Sequence, residues 1–188
     1  MMKGDIFTMN QTTTNLSRAL YERNIKNGSA NLIYFSLFTI VNIVLLLVDS
    51  NLSFLFSAYI PQLMIAIGQG FAAATGSNGP LIVFSVLSVL FVGGCILSAV
   101  LSKKKTGWLI LGAVLTTLDT VLMLVVVLPS IGDFLVDGLL SILFHAWILY
   151  YVFNALISYQ KLKALPPDPQ TYEAEYVVNG SPADPTDI

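Results

Sequence analysis

Between Asp49 and Lys103 the chain carries no Asp, Glu, Lys or Arg. Such a stretch has almost nothing to solvate it in water, where an ordinary domain has roughly 25% charged residues. Over the whole chain 11% of residues are charged and 55% are hydrophobic, which excludes a soluble globular domain. The apolar matter must lie in a bilayer, and the question becomes how often the chain crosses it.

A hydrocarbon layer about 30 Å thick takes roughly 20 helical residues to cross. Residues 108–128 meet that length, interrupted by a single carboxyl group, Asp119. Residues 81–101 meet it too, with Ser85, Ser88, Gly93, Gly94, Ser98 and Ala99 as small residues that let helix backbones approach. Residues 32–48, punctuated by Ser36, Thr39 and Asn42, and residues 139–157, carrying His145, Trp147 and Asn154, complete the set. The expected fold is an all-α membrane protein with four transmembrane helices in an antiparallel bundle, occupying residues 31–159.

Residues 52–75 are apolar but poorly suited to a simple span, because Pro61 interrupts them and Gly68, Gln69 and Gly70 roughen their second half. If they crossed, Lys103, Lys104 and Lys105 would fall on the opposite side from Arg18, Arg23 and Lys26, against the positive-inside rule. The segment is therefore expected to be interfacial or re-entrant on the outer side, broken at Pro61. All nine Lys and Arg residues then fall on one side, which predicts cytoplasmic termini and a multi-pass protein of the plasma membrane.

Residues 1–30 form a cytoplasmic arm in which 15–26 read as a short amphipathic helix. Asn15 is placed to cap it and Gly28 to end it, and its basic residues suit either a helix lying on headgroups or a solvated connector. Residues 160–188 read as a disordered acidic tail: from Pro166 onward there are five carboxylates and no basic residue. Within it, residues 176–178 favour a short strand. Cys95, the one cysteine, excludes a disulfide framework or thiol metal cluster and reads as a small residue at a helix interface.

Depth picks out one polar layer. At 1.5 Å per residue, Asp119 lies about 17 Å into its span from the cytoplasmic end and His145 about 9 Å below the outer end of the fourth, with Ser88 and Asn42 at neighbouring depths. A short outer connection makes the third and fourth helices antiparallel neighbours, so Asp119 and His145 can meet. Helix packing is the leading explanation of this layer. The alternative is an outward-facing site, with Asp137, Ser141 and Asp133 as its outer approach for a proton or cation. No catalytic residue, metal set or cofactor is indicated: HExxH and GxSxG are missing, and Asp133 and Asp137 with His145 could coordinate a divalent cation only weakly, a grouping common without metal.

The successions ALYERNIKNGSANLIYFSLFTIVN, VDSNLSFLFSAYIP, and HAW followed by YQKLKALPP lie within residues 14–167. There the chain resembles uncharacterised small four-span integral membrane proteins of Gram-positive bacteria. The resemblance implies a bacterial plasma membrane and carries no activity. The expected function is a non-enzymatic accessory, sensor or interaction protein, with the lipid bilayer, a membrane-protein partner or further copies of itself as partners and no nucleic acid. The alternative is a small oligomeric transporter or ion- or proton-conducting protein using Asp119 and His145.

Overall fold

With no water in the bilayer core, each span must pair its own backbone groups, and helices do so within one segment. The computed structural model describes residues 2–48, 56–102, 105–130 and 135–166, with no strand among them. Five helices follow one another: α1 (Met2–Leu47), α2 (Tyr59–Thr75), α3 (Gly79–Leu101), α4 (Thr106–Val127) and α5 (Leu135–Ala164), with a single 3₁₀ turn at Leu128–Ser130 after α4. Four stretches are long and apolar enough to cross a membrane: Thr13–Leu47, Gly79–Leu101, Thr106–Val127 and Val136–Ala164. The protein is an all-α, four-span membrane protein.

The four long helices form a ring in which α1 packs on α5 and α3, and α4 closes it against α3 and α5. Neighbours run antiparallel: Asn24 meets Ser158 near one end of the α1–α5 pair, and Phe35 meets Phe144 further along it. Lipid tails are as apolar as leucine, so burying apolar surface does not drive these helices together, and close packing must. Small residues supply it. A Cβ at Gly112 would collide with Ser98 Oγ and lie 2.8 Å from Leu32 Cδ1, which marks a tight α4–α3–α1 crossing. Ser98 also donates to the Trp108 carbonyl across the α3–α4 turn. The outward surface is apolar, with Val86, Val89, Leu90, Val125 and Leu143 exposed.

Where a separate helix over 15–26 was expected, α1 runs unbroken through Asn15 and Gly28. Gly28 does not stop the helix; it admits α5. A Cβ there would strike Ala155 Cβ and sit 2.8 Å from the Tyr151 carbonyl oxygen. The arm consequently packs along α5 instead of lying alone on headgroups: Lys161 Nζ stands 5.9 Å over the Tyr21 ring, and Arg18 donates to the Pro166 carbonyl at 2.5 Å. α5 is correspondingly longer than residues 139–157, with Lys161 and Lys163 in its last turn. The Ser29–Ser102 hydroxyl contact, 2.8 Å, marks where α3 ends while α1 and α5 continue. The strand expected at residues 176–178 lies outside the described residues.

α2 is re-entrant. The Ala58 N–H donates to Thr39 Oγ1 at 2.8 Å, whereas Gln69, eleven residues on, donates to the carbonyl of Leu46 at the C-terminal end of α1. The segment thus starts midway along the bundle and runs to the end where α1 stops. Gly76, at φ 67°, ends it in the left-handed conformation that glycine adopts without strain, and its N–H reaches the Ala72 carbonyl at 2.9 Å. α3 then descends antiparallel to α2, and Gly68 lets the two approach, since a Cβ there would stand 3.1 Å from Leu81 Cα and Phe84 Cβ. Pro61 does not break this helix, as had been expected; it sits in the first turn, where its missing N–H removes no helical bond.

Candidate functional site

A helix that begins inside a bilayer exposes its first backbone N–H groups where no water can satisfy them. At the start of α2 the protein supplies side chains from two other helices. Thr39 of α1 accepts from Ala58, while Asp119 of α4 accepts from Tyr59 through Oδ2 at 3.0 Å and from Ile60 through Oδ1 at 2.6 Å. The next residue is Pro61, which has no N–H to satisfy. Each donor of the first turn is thereby accounted for. Carboxyl oxygens placed there also face the partial positive charge of the helix start.

Asp119 has a third partner. His145 Nε2 lies 3.0 Å from Oδ2, and both side chains are fully buried. His145 Nδ1 stands 2.8 Å from the Ser141 backbone carbonyl, which can only accept, so Nδ1 carries a hydrogen. The Nε2–Oδ2 contact then needs one further proton, held as histidinium facing carboxylate or as neutral imidazole facing carboxylic acid. Either form leaves the pair with zero net charge. The choice of tautomer is made by a backbone carbonyl one turn away, as in other histidine sites.

Aromatic rings wall this pair. Phe35 and Phe144 stand edge-on to the imidazole, each 5.9 Å between ring centroids, and Phe56 packs on Phe144 at 5.4 Å. Thr116 and Thr120 on α4 are buried and turn their hydroxyls back to the carbonyls of Gly112 and Thr116, so they close the layer without opening a polar path.

Asp119 and His145 are therefore in direct contact. Ser88 is buried one helix away, donating to the carbonyls of Phe84 at 2.8 Å and Pro61 at 3.2 Å, so it ties α3 to the first turn of α2 and does not touch the pair. Asn42 is buried on α1, less than one turn beyond Thr39. Asp137 falls in the first turn of α5 and is exposed; Ser141 serves through its backbone; Asp133 lies outside the described residues. Sequence reasoning missed Thr39 and the backbone of residues 58–60. The one local sign was a proline in the first turn of an apolar helix. Among the described residues no three His, Cys, Asp or Glu side chains are grouped to hold a metal ion. Comparison with family models, curated proteins and solved structures gives no match for this chain.

Proposed function

We propose that this protein is a non-enzymatic accessory or interaction protein of a bacterial plasma membrane, with both termini in the cytoplasm. The observation that carries the reading is the use made of Asp119. Its carboxyl oxygens are committed to two backbone N–H groups and one imidazole, inside an aromatic wall. A polar layer engaged in this way holds a helix in place and offers no substrate a free nucleophile, base or oxyanion donor. The clustering of Lys and Arg at one end of the bundle supports the orientation, and the sequence resemblance supports the choice of membrane.

Native affinity purification in mild detergent, with mass spectrometry of co-purifying chains, tests the reading. A stoichiometric membrane-protein partner, recovered equally with Asp119→Asn, is the expected result. Recovery of the chain only with copies of itself, together with pH-gradient dissipation in liposomes that Asp119→Asn abolishes, would replace it.

That replacement is the second reading, an oligomeric proton conductor. One observation favours it: a pair that holds a single exchangeable proton at mid-depth, beside a half-length helix whose first turn it caps.

A further inference from the structure

We propose that the step at the lysine-bearing end of the bundle binds the headgroup of an anionic phospholipid. The step exists because α1 and α5 continue past the end of α3. Ser102 closes its floor, and the two long helices form its wall around a cavity of about 470 Å³. Cavities of this size hold a small organic group, and this one lies at the end of the α3 span, where headgroup phosphates sit.

The lining has the chemistry of a phosphodiester site. Lys26 from α1 and Lys163 from α5 line it, and among the described residues neither has a carboxylate within ion-pair distance, the one ion pair there being Asp119–His145. Lys161, by contrast, is engaged over Tyr21. Two lysines from different helices lining one cavity suit one phosphate anion. Glu22, in the same lining, can accept hydrogen bonds from headgroup hydroxyls, which favours a polyol headgroup over a bare phosphate. Ile25 and Leu162 give the cavity an apolar side for the glycerol backbone and the first methylenes of the acyl chains, and Tyr159 presents an amphipathic ring of the kind enriched at this depth. A soluble phosphate would use the lysines and leave that apolar side wet. The site depends on the four-span fold and on neither reading of the polar layer.

The test is native mass spectrometry of the full chain released from nanodiscs of phosphatidylcholine containing phosphatidylglycerol. The chain should retain phosphatidylglycerol selectively. Each lysine near such a surface contributes on the order of 1 kcal/mol, about fivefold in affinity, so Lys26→Ala with Lys163→Ala should reduce retention about twenty-five-fold. Lys161→Ala, whose charge lies at the same end but is held over the Tyr21 ring outside the cavity, should reduce retention clearly less than either cavity lysine changed alone. Circular dichroism checks that each variant keeps its helices. Equal retention by a folded double variant would overturn the proposal, as would an equal loss in Lys161→Ala, which would reduce the effect to general surface charge. Lysine-dependent binding of inorganic phosphate in lipid-free detergent, as tight as that of the lipid, would also overturn it by assigning the cavity to a soluble anion.

Discussion

Asp119 matters through what its removal leaves behind. In Asp119→Leu the N–H groups of Tyr59 and Ile60 and the buried imidazole of His145 all lose their partner. Breaking one side of a buried pair costs about 3–5 kcal/mol, and reversible unfolding in bicelles should show a loss of that size. Asp119→Asn keeps one acceptor oxygen and should lose less, about 1–3 kcal/mol, the cost of a single unmade buried bond. Hydrogen exchange at the Tyr59 and Ile60 amides should accelerate in both variants, more in the leucine. His145 depends on the same contact, so a double-mutant cycle of Asp119→Asn with His145→Gln should give a coupling energy of about 0.5–3 kcal/mol. A coupling near zero would mean that the two residues hold their helices independently.

At the level of elements, glycine separates contact from open space. Gly93 faces nothing within 4 Å, whereas a side chain at Gly112 meets Ser98 and Leu32. Gly93→Ala should therefore be neutral or stabilising by up to about 1 kcal/mol through backbone entropy. Gly112→Ala should destabilise by about 1–3 kcal/mol through overpacking, and thermal melts of the two variants measure the contrast. The same distinction explains what could be seen in the sequence. Four spans and the meeting of Asp119 with His145 were legible because hydropathy sets span length and a short connection makes antiparallel neighbours. The continuity of α1 was not, because Gly28 at a helix crossing has the same local appearance as a glycine that ends a helix. Nor was Thr39, because a cap supplied across the fold leaves no spacing in the chain. That α2 is not among the four helices long and apolar enough to span agrees with the reading from charge parity, whereas the role of Pro61 needed to be seen beside its partners.

For the whole molecule, the decisive question is which ends share a side. In a Cys95→Ala background, single cysteines at Arg23, Lys105 and Lys161 should react with a membrane-impermeant maleimide from one side, and a cysteine at exposed Ser77 only from the other. Were α2 a complete crossing, Ser77 would label with Arg23, and Lys105 would change sides. The course of α2 also constrains the order in which the protein can be completed. Asp119 follows Ile60 by 59 residues, so the start of α2 leaves the ribosome well before the carboxyl group that caps it exists. Until α4 enters the bilayer, three backbone donors at residues 58–60 have at most Thr39 to turn to, and they must wait among headgroups or solvent. Assembly of this protein therefore has a late step, the seating of an early helix by a later one.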